Sequence, residues 1–205
     1  LIKDRAIIFY AGQNDFESGM YPYTEETKKY HSPIFKTSDE AALYLSALAK
    51  KNKWNFIYKP HPIIYRLRKS YYEKLKVENM IVVSDIDIND LVDMADLTIT
   101  ILSQTGYVSL IRNRPTLMLG YTQLRGKGCT YEAFTLEEIE QTIKSALQNG
   151  FTESQQYAFK KHVAQLLKYY LYDDLVKKDF QYGMPLEECV KFLLTGERTV
   201  DCSRS

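Results

Sequence analysis

Cysteine, histidine and tryptophan are scarce in this 205-residue chain, which has three cysteines (Cys129, Cys189, Cys202), three histidines (His31, His61, His162) and one tryptophan. Cysteines this far apart make neither a disulfide framework nor a zinc ligand set. A reducing, cytoplasmic setting and metal-independent chemistry are therefore expected, with no metal ligands to name. Charge of one sign is also lacking: 27 Lys and Arg offset 26 Asp and Glu, so no global field draws the chain to nucleic acid or anionic lipid. No apolar run approaches the roughly 20 residues of a membrane span, and no signal peptide is visible. The chain opens on Leu1 instead of Met, which reads as a piece of a longer protein. Repeats and low-complexity tracts are missing as well.

What is present is an alternation of short β-prone apolar runs with helical patterns. Strands are expected over 5–12, 54–59, 80–84, 97–102 and 115–120. Helices are expected over 37–52 (capped by Ser38 or Asp39), 63–76, 88–95, 106–113 and 135–150. Long loops are expected at 12–36 and 121–133. Strands separated by helices of this length form right-handed βαβ units and a parallel sheet. The strands are nearly continuous apolar runs, as helices on both faces require. The fold class is α/β: a Rossmann-like parallel sheet over 1–150, then a helical extension over 151–205 with no β signal.

Ligands of open parallel sheets sit beyond the carboxyl ends of the strands. That rule selects Gly12, Gln13, Asp15 and Glu17 after the first strand, Lys59 and His61 after the second, and Ser84 and Asp85 after the third. It adds Ser103, Gln104, Thr105 and Gly106 after the fourth, then Gly120, Tyr121 and the loop bearing Arg125, Lys127 and Thr130 after the fifth. In "YKPHP", Pro60 and Pro62 each fix φ and push Lys59 and His61 toward an extended backbone. If Pro62 is the first helical residue, His61 holds the N-cap, a position histidine does not favour. His61 is then either a stiff structural cap or a group that holds a phosphate oxygen. "SQTG" opens a helix with hydroxyls and glycine, which suits an anion and equally suits plain N-capping. It lacks the dinucleotide and P-loop glycine patterns. Asp15 and Glu17 read as solvated loop acids or as acid/base groups. "RGKG" (125–128) reads as an exposed basic turn or a cover for an anion, and the basic residues of 63–76 as a solvated helix face.

Together, "AGQND", "YKPHP", the run "VVSDIDINDLVDMADLTITILSQTGYVSLIRNRPTLMLG" and "GKGCTY" resemble the capsular polysaccharide biosynthesis family of bacterial glycosyltransferases, which includes Kdo transferases. The resemblance covers about residues 5–150. It implies one half of a GT-B fold, the C-terminal donor-binding domain, with CMP-Kdo or another CMP-sugar as donor. His61–Pro62 would match the family's HP motif and Ser103–Thr105 its Ser/Thr motif. Joined to the strand-end reading, this makes His61 and Asp15 the expected catalytic residues, and Gln13, Lys59, His61, Pro62, Ser103, Gln104, Thr105, Gly106, Gly120, Lys127 and Thr130 the expected donor contacts. Where relatives often carry Glu-Ala after the Thr-Gly, this chain has Tyr107-Val108-Ser109. The implied partners are a nucleotide-sugar donor, a saccharide or glycolipid acceptor and an N-terminal domain of the same protein. No nucleic acid is expected, and work at the inner face of the membrane is compatible. A CDP-glycerol glycerophosphotransferase, a sugar-nucleotide epimerase and a non-catalytic nucleotide-sugar-binding assembly module are the competing readings.

Overall fold

The computed structural model describes residues 1–75 and 79–169, together with 172–173, 184–185, 190–191 and 195. The chain divides into two compact units, 1–156 and 157–205. In the first, β1 (Ile7–Ala11) leads through α1 (Glu25–Tyr30) to α2 (Ser38–Asn52) and β2 (Asn55–Lys59). Then come α3 (Pro62–Leu67), α4 (Lys69–Lys74), β3 (Ile81–Val82), α5 (Ile88–Met94) and β4 (Leu97–Thr100). α6 (Thr105–Ile111), β5 (Thr116–Met118), β6 (Tyr131–Glu132) and α7 (Leu136–Asn149) complete it.

The six strands form one sheet in the order β3-β2-β1-β4-β5-β6, with every pair parallel. This is the doubly wound Rossmann-like order, and its topological switch point lies between β1 and β4. Alternation along β1 sends Ile8 and Tyr10 into a core with α2, α7 and Tyr72 of α4. Phe9 and Ala11 go into a second core with Leu91 and Val92 of α5. Both faces of the central strands are thus dry, which is why β1 is a continuous apolar run and why the two threonines of β4, Thr98 and Thr100, are buried.

Four local expectations need correction. The long loop 12–36 contains α1, whose residues show no apolar period. It is held by the Thr24 side chain, which caps the Thr27 amide, and by Glu25 and Glu26 early and Lys28 and Lys29 late, the order a helix dipole favours. The expected helix 63–76 breaks at Arg68 (φ −119°, ψ 29°) into α3 and α4, and residue 76 lies outside the described residues. The guanidinium of Arg68 is drawn to Asp39 at 2.6 Å and lies over the Tyr71 ring at 4.2 Å, so this cation, exposed like the others of the segment, also takes part in a network. The cap of α2 is Thr37, which releases Ser38 and Asp39 for other partners. The expected loop 121–133 contributes β6, paired with Leu117 and Met118.

In the second unit, α8 (Glu153–Tyr169) begins in the first unit's last residues and runs on as expected. Against the expectation of an all-helical tail, β7 (Tyr172–Asp173) pairs in parallel with β8 (Met184–Pro185). Of the expected helix 185–196, Pro185 is in β8, Val190, Lys191 and Thr195 are helical, and the other residues lie outside the described ones.

Candidate functional site

All six strands run the same way, so their carboxyl ends share one edge of the sheet. At its centre Gly12 follows β1. A Cβ there would lie 2.8 Å from Tyr58 Cε2 and 3.1 Å from both Ser38 Oγ and the Lys59 carbonyl. Glycine is what lets the first loop turn flat against β2, where its amide donates to the Lys59 carbonyl at 2.9 Å. Gln13 comes next and is buried. Its Oε1 accepts from the Leu102 amide at 2.8 Å, and its Nε2 donates to Ser18 Oγ at 2.9 Å and to Met20 Sδ. The Thr100 hydroxyl donates to the Ala11 carbonyl at 3.3 Å and accepts from the Ser103 amide at 3.1 Å. The two strand ends bordering the switch point are therefore tied by side chains as well as by the ladder.

Beyond β4, Ser103 Oγ and Thr105 Oγ1 lie 2.9 Å apart, and Ser103 Oγ accepts from the Thr105 amide. Gln104 holds the N-cap position without a side-chain cap bond. Gly106 packs against β5, where a Cβ would meet Met118 Sδ at 3.2 Å. A small cavity of ≈ 30 Å³ borders Ser103, Gln104, Tyr107 and Gln123.

Beyond β2, Pro62 is the first residue of α3 and His61 its N-cap, with Nδ1 accepting from the Ile63 amide at 3.4 Å. The tautomer this selects carries its proton on Nε2, which has no partner among the described residues. The Lys59 ammonium donates to the Ser84 carbonyl. Partial burial lowers its pKa, while Asp85 and Asp87 act the other way. β2 and β4 flank β1 on opposite sides, so the strands that lead to these two polar groups are two spacings apart, about 10 Å.

Residues 23–172 match the model of the capsule polysaccharide biosynthesis protein family, most of the chain. This chain belongs to that family. The match takes in Lys59, His61, Ser103–Gly106, Gly120, Lys127 and Thr130, while Gln13 and Asp15 precede it. No curated protein matches the chain. Among solved structures, it is similar to KpsC of Thermosulfurimonas dismutans described as a β-Kdo 2,7-transferase (24% identity, TM-score 0.45, covering 66% of this chain and 41% of that one). It is also similar to KpsC of the same organism described as a β-Kdo 2,4-transferase (19%, TM-score 0.48, 78% and 45%). A third is the UDP-GlcNAc 2-epimerase of Methanocaldococcus jannaschii (12%, TM-score 0.48, 80% and 45%). The chain spans less than half the length of each of these proteins.

In this family member the remaining candidates have mixed places. Both carboxylate oxygens of Asp15 accept from the Ser38 amide at 3.1 Å, at the start of α2. Burial, reinforced by the charge of Asp39, pushes its pKa up to about 6 against the pull of the Ser38 hydrogen bond and Arg68. The Tyr10 hydroxyl bonds Ser38 Oγ, and those of Tyr58 and Tyr72 donate to Asp39, a network beside the site that no motif announces. Gly120 is a packing glycine: a Cβ there would meet Ile101 Cγ2 at 2.7 Å and the His31 carbonyl at 2.8 Å. Thr130 and the Gly126 amide both bond Glu132, which folds the 125–128 turn onto β6, and Lys127 is exposed on that turn. The Arg125 guanidinium lies 3.8 Å over the Tyr121 ring, so it serves the loop's own packing. The structure thus gathers Lys59, His61, Ser103, Gln104 and Thr105 on the switch-point edge. It turns the Gln13 amide inward as a brace and gives Asp15 to the α2 terminus. Thr100 was missed in sequence; its signal is a hydroxyl inside the expected strand 97–102, at what the structure makes the last residue of β4. Among the described residues no group of three or more His, Cys, Asp or Glu is placed to hold a metal ion, and no helix is long and apolar enough to cross a membrane.

Proposed function

We propose that this chain is the donor-binding half of a GT-B glycosyltransferase that uses a nucleotide-activated sugar, with CMP-Kdo or another CMP-sugar first in line. The observation that carries the reading is the pair of polar groups astride β1: Lys59 and His61 on one side, the Ser103 and Thr105 hydroxyls on the other. Departure of the sugar leaves negative charge on the donor's phosphate. Fixed donors aimed at that charge lower the barrier without reorganising. The Lys59 ammonium keeps two further protons after its bond to Ser84, and His61 keeps its Nε2–H. The hydroxyls of Ser103 and Thr105 and the amides that follow would take the remaining oxygens. This charge arrangement needs no metal. Asp15, poised near neutrality, is a candidate proton acceptor only if the first loop shifts it off Ser38. A second domain is expected to supply the rest of the acceptor side, so this chain alone is expected to bind donor and turn over little.

Calorimetry with CMP, CDP, UDP and GDP tests the reading on the wild type and two His61 variants. His61→Asn keeps an acceptor near Nδ1, and so the α3 cap, but lacks the Nε2 donor. His61→Gln restores a donor near Nε2. Binding of CMP above the other nucleotides, weakened about tenfold or more by His61→Asn and largely kept by His61→Gln, is expected. No nucleotide binding at all would overturn the donor-domain assignment, and equal CMP affinity in all three proteins would remove His61 from the site.

A further inference from the structure

The connection between β1 and α2 is out of proportion to the others. Residues 60–61 suffice between β2 and α3, and 101–104 between β4 and α6, whereas residues 12–37 separate β1 from α2. Apart from the six-residue α1 it consists of residues 12–24 and 31–37, and irregular connections beyond about 12–15 residues are uncommon in compact domains and often functional where they occur. This one is firmly built. Met20, Ser32 and Phe35 are buried. The Tyr21 amide donates to the Asp15 carbonyl at 2.9 Å, Thr27 Oγ1 to the Pro22 carbonyl at 3.0 Å, and Ser32 Oγ to the Phe35 carbonyl at 2.6 Å. Its far end is pinned to the carboxyl edge of the sheet, where the His31 carbonyl accepts from the Tyr121 amide at 2.7 Å.

On this scaffold an open cleft of ≈ 340 Å³ forms between Gly19, Tyr21, Pro22, Glu26, Tyr30 and His31, a size within the range of small-ligand sites. Tyr21 and Tyr30 are more than half exposed, at 54% and 57%, and so is the neighbouring Phe16, whose ring lies 4.7 Å from that of Tyr21. The Tyr21 and Tyr30 hydroxyls, the Glu26 carboxylate and the His31 imidazole have no hydrogen-bond partner among the described residues. A segment that spends so many contacts on its own order thus leaves three large rings more than half exposed, that of Tyr30 with the Lys29 ammonium 4.9 Å from its centroid, and four polar groups without a hydrogen-bond partner among the described residues.

We infer that this cleft is a saccharide-binding site and, resting on the transferase reading above, that it takes the acceptor sugar. A pyranose ring has an apolar C–H face and a rim of hydroxyls. Tyrosine rings with electron-rich faces cover the first, while a carboxylate and an imidazole accept and donate to the second. The Glu26 charge disfavours a nucleotide phosphate in this place, which keeps the cleft distinct from the strand-end groups that face the donor. Its attachment to the end of β5 puts it on the same sheet edge as those groups, the edge from which a sugar would be transferred.

The test is saturation-transfer difference NMR of the whole chain against a panel of neutral and acidic bacterial oligosaccharides, with nucleotide calorimetry run in parallel. Four proteins are compared: wild type, Tyr21→Ala/Tyr30→Ala, Tyr21→Phe/Tyr30→Phe and Glu26→Gln. At least one oligosaccharide is expected to bind the wild type. Its affinity should fall about tenfold or more in the double alanine variant, fall less in Glu26→Gln and survive largely in the double phenylalanine variant. Nucleotide affinity should be the same in all four. An oligosaccharide panel with no binder to the folded wild type, or a binder held equally by the double alanine variant, would overturn the inference. Loss of nucleotide binding by the wild type would instead count against the donor-domain reading, so the two failures are separate.

Discussion

Gln13 and Leu102 stand 89 positions apart in sequence and meet at the switch point, where the Leu102 amide donates to Gln13 Oε1 at 2.8 Å. With Nε2 committed to Ser18 and Met20, the whole amide is consumed in holding the first loop to the end of β4. Gln13→Met keeps the volume and removes the acceptor, leaving a part-buried amide without its partner. Such a loss costs about 1–3 kcal/mol, so the midpoint of urea denaturation should fall with an unchanged slope. CMP affinity should fall too, because the Ser103 turn loses its brace. Unchanged stability in Gln13→Met would mean that this hydrogen bond holds nothing in place.

Asp39 is the common acceptor of a second network. Tyr58 OH donates to it at 2.7 Å, Tyr72 OH at 2.9 Å and Arg68 Nη1 at 2.6 Å. Burial, then the charge of Asp39, raises the pKa of Tyr58 far above its ordinary value, so this hydroxyl stays a donor. Asp39→Ala strands a phenol inside the core and should destabilise by about 1–3 kcal/mol. Tyr58→Phe in that background should then cost less than Tyr58→Phe alone, giving a coupling of at least about 0.5 kcal/mol in a double-mutant cycle. Strictly additive effects would show that the two side chains do not act together.

Gly120 and Gly126 are glycines for different reasons, which stability measurements can separate. An added Cβ at Gly120 falls within 3 Å of Ile101 Cγ2 and of the His31 and Ile101 carbonyls. Two of these atoms are backbone and cannot step aside, so Gly120→Ala should cost about 1–3 kcal/mol as overpacking. It should also loosen the 12–37 connection through the His31–Tyr121 bond. At Gly126 nothing lies within 4 Å, and the cost comes from φ +67° alone, about 1–2 kcal/mol. Gly126→Asn, which tolerates this conformation better, should recover part of that loss, whereas Gly120→Asn should be worse than Gly120→Ala. Equal behaviour of asparagine at both positions would contradict this division.

The parallel sheet could be read from the chain because its central strands are dry on both faces: Ile7–Ala11 is an unbroken apolar run, and in Leu97–Thr100 the alternating polar residues are threonines, β-prone and themselves buried. From there the strand-end rule led to Lys59, His61 and Ser103–Thr105 without structural knowledge. What could not be read was decided by partners far away in sequence. β6 has only two half-buried residues and becomes a strand by lying against Leu117 and Met118. α1 has no apolar stripe and depends on its caps. The break at Arg68 coincides with a guanidinium bound to Asp39, 29 positions away. The same holds at the site, where the backbone position of Gln13 and Asp15 was foreseeable. That their side chains turn to Leu102 and Ser38 depends on how α2 and β4 pack around them.

Asp15 yields a prediction in pH. Burial is the largest cause of its raised pKa, about 6 against 3.8 for the free side chain, with the Asp39 charge adding to it. Between those two values the folded chain holds more protons than the unfolded one, so this residue makes stability fall as pH rises. Its contribution is fully present below about pH 4 and is lost as pH passes through about 6. Glu140, held down to about 2 by Lys144 and Lys51 on the surface, has the opposite effect: it supports stability at higher pH and loses that support as pH falls toward 2. Single curves therefore mix the two signs, and the informative quantity is the difference between wild type and Asp15→Asn. Asparagine can still accept from the Ser38 amide but does not titrate. The stability of Asp15→Asn relative to wild type should therefore increase from pH 4 to pH 7, measured by urea denaturation at each pH. A difference that stays flat across this range would show that Asp15 titrates as an ordinary solvated carboxylate, and it would end its candidacy as a proton acceptor poised near neutrality.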